Sequence, residues 1–160
     1  LARKIGVTPS LALPSDKEKN ALIYWSANLF KAKHTQYMIL RNTASLYSMV
    51  MYGRGITNEK QFVQETLSTR KEFITLDGNE MFFNMINELE DKNVLLSKMT
   101  DRRVTGSINN LIFQTKFHLL HDRKSSLEAP FRLNESSMSY LSYKSPKDEF
   151  LKLLFVDGKA

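Results

Sequence analysis

Cysteine is absent from the 160-residue chain, and with it go disulfide bridges, thiolate nucleophiles and cysteine-based zinc sites. That fits a reducing cytoplasm. No apolar run approaches the roughly 20 residues of a membrane span, and no charged start followed by an apolar stretch resembles a signal peptide. A soluble cytoplasmic protein without membrane contact is expected. Repeats and low-complexity tracts are also missing, and no break in composition marks a linker between domains. The chain lacks an initiating methionine: residues 1–6 read as the last turn of a helix closed by Gly6, so the native start is expected to lie upstream.

What is present is ordinary globular material. Hydrophobic residues make up 42% and charged residues 25%, and 10 Phe, 6 Tyr and 1 Trp argue against disorder. A chain of this length suits one domain that buries roughly 70% of its unfolded surface. The 7 methionines serve as core filler. The net charge of +6, from 23 basic and 17 acidic residues, would assist polyanion binding. The basic residues are scattered, however, and general basic solubility is the simpler reading.

Prolines and small polar residues make 8–16 an irregular connector. Over 22–30 the residues alternate, with Ile23, Trp25, Ala27 and Leu29 on one face and Tyr24, Ser26, Asn28 and Phe30 on the other, which predicts a strand. A polar connection at 31–35 leads to a second strand at 36–41, and a third follows at 45–52. Together they form an antiparallel meander. Gly53-Arg54-Gly55 then turns the chain and carries a guanidinium into a loop.

Helical spacing predicts helices over 58–75, capped by Thr57, and over 80–91, with a short buried strand at 94–96 between the latter and a third helix. The third helix, 104–121, carries Val104, Ile108, Leu111, Ile112, Thr115 and Leu119 as its apolar stripe. A short segment at 131–135 leads to a turn region at 138–143. Ser145-Pro146-Lys147-Asp148 combines a cap residue, a proline at the first helical position and an acid at the third, so a last helix runs over 146–155. The expected fold class is α+β, an antiparallel meander of three or more strands with four helices packed mainly on one face.

The strongest candidate for chemistry is the run Arg102-Arg103-Val104-Thr105-Gly106-Ser107-Ile108-Asn109-Asn110. It opens a helix with cations, hydroxyls and a glycine where the helix dipole favours acids. A phosphate there would meet two guanidinium forks, the Thr105 and Ser107 hydroxyls and the N–H groups of Gly106, Ser107 and Ile108. The simpler alternative is that Thr105 or Ser107 caps the helix, Gly106 permits close packing and the arginines are solvated or pair with Asp101.

Other chemistries are weaker. His118, His121 and Asp122 have a spacing compatible with a shared metal, but histidines at a helix C-terminus more often complement the dipole, so neither a metal nor a cofactor is expected. Asp77 with Glu90, Asp91 and Lys92 has the composition of a magnesium nuclease site, on helical instead of strand positions. No serine lies in a Gly-x-Ser-x-Gly elbow. Strand aromatics such as Tyr24, Phe30, Tyr37, Tyr47 and Tyr52 are candidates for base stacking, although core and cross-strand packing is their commoner use.

Five ordered blocks carry a family resemblance: Trp25-Ser26-Ala27-Asn28-Leu29-Phe30, residues 42–48, residues 53–57, residues 103–109 and Phe131-Arg132-Leu133-Asn134-Glu135. They resemble an uncharacterised bacterial family, domain of unknown function 6933. The resemblance implies a small cytoplasmic protein without an assigned reaction, and a short strand ahead of Leu1. The family position at Asn110 often carries an acid. The blocks are rich in Asn, Thr, Ser and Arg, hold a single acid, Glu135, and contain no His. Converging, they would make an anion-binding pocket of Arg102, Arg103, Thr105, Gly106, Ser107 and Asn109 with help from Arg54, Arg132 and Asn28. Alternatively they satisfy backbone groups in a buried loop cluster.

The expected function is therefore non-catalytic binding of an anionic partner, nucleic acid or a phosphorylated ligand. Two rivals are an enzyme acting on a phosphate-containing substrate, with Glu135 as base, and a protein-interaction module.

Overall fold

Three strands pair as an antiparallel meander in the order β1-β2-β3. They are β1 (Trp25–Ala32), β2 (Thr35–Asn42) and β3 (Ser48–Tyr52). The computed structural model describes residues 1–10, 21–78, 84, 96, 97 and 102–157, with the side chains of 102–104, 154, 156 and 157 left aside. The β1–β2 register runs from Trp25 opposite Asn42 to Ala32 opposite Thr35. A two-residue turn at Lys33-His34, with Lys33 at a φ of 51°, joins them. This tight turn carries both strands further than the polar composition of 31–35 implied.

The other strand ends move for a different reason. Leu22 is buried in a turn, where its carbonyl accepts the Trp25 indole N–H at 2.8 Å, so β1 begins at Trp25. Asn42 withdraws the next residues from the sheet: its Oδ1 accepts the Ala44 and Ser45 N–H groups at 3.1 and 3.0 Å. Side-chain capture of backbone donors competes with strand pairing, and β3 starts at Ser48 instead of 45.

Helices cover both faces of the sheet, which corrects the expectation of one mainly covered face. One core joins Met38, Leu40, Met49 and Met51 to Phe62, Phe73 and Ile74 of α2 (Glu59–Leu76) and Phe150 of α5 (Pro146–Asp157). Ile5 of the single turn α1 (Ala2–Ile5) joins it, and Gly6 closes that turn at a φ of 70°. The second core joins Phe30, Ala32, Ile39 and Val50 to Leu111 of α3 (Arg102–Leu120) and Leu133 of α4 (Ala129–Glu135). The cause is strand periodicity: Met38 and Leu40 point one way and Ile39 the other, so both faces are apolar and both need a cover.

Asn58, not Thr57, caps α2: its Oδ1 accepts the Gln61 N–H at 2.9 Å. The 80–91 helix and the 94–96 strand lie outside the described residues apart from Asn84 and Leu96; the Leu96 carbonyl accepts the Ser10 N–H at 2.9 Å. α4 stands where only a short segment was expected. It follows a reciprocal box in which the Ser125 N–H donates to Glu128 Oε2 at 2.9 Å and the Glu128 N–H to Ser125 Oγ at 3.1 Å. These bonds hold the Glu128 carboxyl below the usual carboxylate range, the backbone donor first. α5 starts as its sequence predicts, with Ser145 Oγ accepting the Asp148 N–H at 3.1 Å.

Candidate functional site

Gly106, Ser107 and Asn110 face Met138, Ser139 and Tyr140 across an open groove of about 390 Å³. Two local features build it. α3 contributes its second and third turns, and a short 3-10 turn, Ser139–Leu141, stands opposite. That turn is pinned at its base, because the Met138 N–H donates to the Lys144 carbonyl at 3.1 Å and the Tyr143 N–H to the Met138 carbonyl at 2.9 Å. Met138 is buried in the second core, so the groove floor is tied to the sheet.

α3 begins at Arg102, two residues ahead of expectation, and this changes how the helix start can work. Its i→i−4 ladder takes up the N–H groups of Gly106, Ser107 and Ile108. The donors without an intrahelical partner at the helix start belong to 102–104 instead. The first turn holds no acid. Arg102 and Arg103 lie in that turn; Thr105 and Asn109 are exposed and Ser107 is half-buried.

Among the described residues nothing lies within 4 Å of a Cβ built at Gly106, so none of them demands its absence. A glycine inside a helix costs about 0.8–1.0 kcal/mol relative to alanine. Here that cost leaves bare backbone facing the groove.

Of the predicted site residues the groove is lined by Gly106 and Ser107; Thr105, Asn109, Arg54, Arg132 and Asn28 do not line it. Arg54 is exposed beyond the far end of β3. Arg132 is exposed on α4, and its Nη1 stands 4.0 Å from Glu135 Oε2. Asn28 lies on β1 and its Oδ1 accepts from Arg41 Nη1 at 3.3 Å.

Arg41 is the residue that sequence reasoning missed. It is fully buried on β2, and loss of hydration lowers its guanidinium to about 10. The signal was available: alternation places Arg41 in the same inward row as Tyr37 and Ile39, where a charge is out of character.

Much of the polar content of the family-like blocks is spent on the backbone. Asn42 Nδ2 donates to the Ala21 carbonyl at 2.7 Å, while its Oδ1 also accepts from Ser45 Oγ at 3.0 Å. Ser48 Oγ donates to the Leu46 carbonyl at 2.6 Å, and Asn134 bonds both backbone groups of Ser48. These are the buried loop contacts of the structural alternative. They fix the end of the sheet on which Arg41 and Asn28 sit.

Other candidate groups are engaged with neighbours. Asp77 accepts from the Tyr47 hydroxyl and from Lys147 Nζ, each at 2.7 Å, while Glu90, Asp91 and Lys92 lie outside the described residues. His118 Nδ1 meets Asp122 Oδ2 at 2.7 Å, and the His121 ring stacks on Phe117 with centroids 4.9 Å apart. Among the described residues no three His, Asp or Glu side chains converge as a metal site. Phe30, Tyr37 and Tyr52 form a cross-strand ladder with centroids 5.6 and 5.2 Å apart. Burial first, then Tyr52, raises the Tyr37 hydroxyl above its ordinary value. No helix among the described residues is long and apolar enough to cross a membrane.

No curated protein and no solved structure matches the chain. A family does, over residues 1–149, and the five polar blocks fall inside that span. The chain belongs to the domain of unknown function family DUF6933.

Proposed function

We propose that the protein binds an anionic partner, through a phosphate group, at the groove between α3 and the Ser139–Leu141 turn, without catalysing a reaction on it. The observation that carries this reading is Gly106. A helix-interior glycine that no described neighbour requires, set in a groove beside Ser107, Asn110 and Ser139, suits close approach of a ligand to backbone. Support comes from the acid-free first turn with Arg102 and Arg103, where both the dipole and the side-chain charges favour an anion.

Thr105 and Asn109 flank the groove on the same helix and serve as secondary polar contacts. Arg54, Arg132 and Asn28 act indirectly, the first two through net charge and Asn28 by holding Arg41. Glu135, the base of the enzyme reading, is exposed beside Arg132 and does not line the groove, so the binding reading is favoured. The proposed setting is the cytoplasm, which a cysteine-free chain fits.

The test is retention on heparin and on DNA as salt rises from about 50 to about 200 mM, where contacts to phosphate weaken steeply. Arg103→Ala should elute earlier on both columns. Equal retention of variant and parent would remove Arg103 from the site, and no retention of the parent at the lower salt would end the reading.

A further inference from the structure

α3 has no acidic residue. From Arg102 to His121 the sequence holds Arg102, Arg103, Lys116, His118 and His121 and not one Asp or Glu. α2 and α5 differ: each mixes both signs, with Glu59, Glu65 and Glu72 in the first and Asp148, Glu149 and Asp157 in the second. The inner side of α3 is spent on the core through Ile108, Leu111 and Thr115.

On the outward face stand two phenylalanines one turn apart, Phe113 at 71% and Phe117 at 49% exposure. The leucines and isoleucines of α3 are turned inward or half-buried, so the apolar groups offered to solvent are flat rings. The His121 ring lies on Phe117 at an interplanar angle of 22° and extends that flat surface. Gly106 shares this outward face, two turns before Phe113 in the 3.6-residue period. Groove and rings thus follow one another along a face of about 22 Å from Gly106 to His121.

We propose that this face of α3 is a track for single-stranded nucleic acid, with the groove at Gly106 and Ser107 taking a phosphate and Phe113 and Phe117 stacking unpaired bases. The proposal rests on the phosphate-binding reading above and names the partner. Charge complementarity selects a polyanion, since the chain carries a net charge of +6 and α3 presents no acid before Asp122, which is engaged with His118. The rings select the single strand: a duplex keeps its base faces stacked inside, whereas an unpaired strand presents them, and aromatic stacking tolerates any base. A membrane surface would demand a broader apolar face than two rings set between Asn109, Asn110 and Gln114.

The experiment measures fluorescence anisotropy of a labelled oligothymidine of about 12 nucleotides and of a hairpin duplex of equal charge, each with the full chain. The parent should prefer the single strand. Phe113→Ala and Phe117→Ala together should weaken single-strand binding by about tenfold or more, and should leave thermal stability and the salt slope unchanged, because stacking releases no counterions. Arg103→Ala, by contrast, should lower the slope.

Equal affinity for strand and duplex, unmoved by loss of both rings, would overturn the track while leaving phosphate binding intact. Absence of binding to either oligonucleotide at about 50 mM salt would overturn both readings. Binding to vesicles of anionic lipid that depends on the two rings, without oligonucleotide binding, would assign the face to a membrane and overturn the track.

Discussion

Asn134 on α4 grips the backbone of Ser48 at the start of β3: its Oδ1 accepts the Ser48 N–H at 2.7 Å and its Nδ2 donates to the Ser48 carbonyl at 2.9 Å. The side-chain amide takes the place of a neighbouring strand on an edge that would otherwise present unpaired groups. Both residues are buried. Asn134→Ala therefore strands a donor and an acceptor away from water, and should cost about 2–4 kcal/mol in urea unfolding. Asn134→Asp keeps the acceptor but loses the donor and buries a charge, so it should be no milder. A loss under about 0.5 kcal/mol in the alanine variant would show that water replaces the clamp.

Asp77 closes α2 and collects two further parts of the fold. The Tyr47 hydroxyl reaches it from the loop before β3, and Lys147 from the first turn of α5, each at 2.7 Å. The Asp77 side chain is 6% exposed and that of Lys147 33%. Removing the carboxylate should hurt most, because Asp77→Ala leaves both partners without it, whereas Tyr47→Phe loses one charge-assisted bond worth about 1.5–3 kcal/mol. A double-mutant cycle of Tyr47→Phe with Lys147→Met reads their coupling through Asp77. Strict additivity in that cycle would mean the two contacts act independently.

The meander was legible because 22–30 alternates and polar turns separate it from the apolar runs that follow, and α5 because Ser145-Pro146 is an unambiguous start. What escaped depended on side chains reaching the backbone. Asn42 pulls Ser45 out of β3 by bonds that no alternation pattern reveals. Double-sided cover followed from Ile39 and Val50 being as apolar as Met38 and Met49, a continuous run whose second face reads as buried only when its partner helix is known. The helix-start oddity at Arg102 was legible in composition, whereas its groove was not, since Ser139 and Tyr140 reach it through tertiary packing.

Glu149 on α5 donates no proton at neutral pH and accepts from Lys152 Nζ at 2.5 Å. That bond chiefly holds the Glu149 carboxyl below its ordinary value, with Lys144 assisting, and raises the Lys152 ammonium. A lowered carboxylate contributes stability that is present above the unfolded value, about 4.3, and is lost as pH falls through the folded one. A raised ammonium contributes stability that is present below about 10.4 and lost as pH rises through its folded value. Glu149→Gln should therefore flatten both the acid limb and the alkaline limb of a stability profile. An unchanged acid limb would show that Glu149 is not among the carboxylates that set it.

Gly106→Ala separates stability from binding. The residue lies in the interior of α3 with no described neighbour within 4 Å of a built Cβ, so alanine adds helix propensity without a clash against them. Thermal or urea unfolding should show a gain of about 0.5–1 kcal/mol. In the same variant the added methyl stands in the groove beside Ser107 and Ser139 and should weaken retention on heparin and on single-stranded DNA. A gain in stability with full retention would leave Gly106 without a role in the groove and shift the phosphate contact toward the N–H groups of 102–104, which have no intrahelical partner. A loss in stability would mean that the glycine answers a packing need after all, and the groove reading would lose its main support. Propensity and function pull in opposite directions at this position, which is why one substitution can tell them apart.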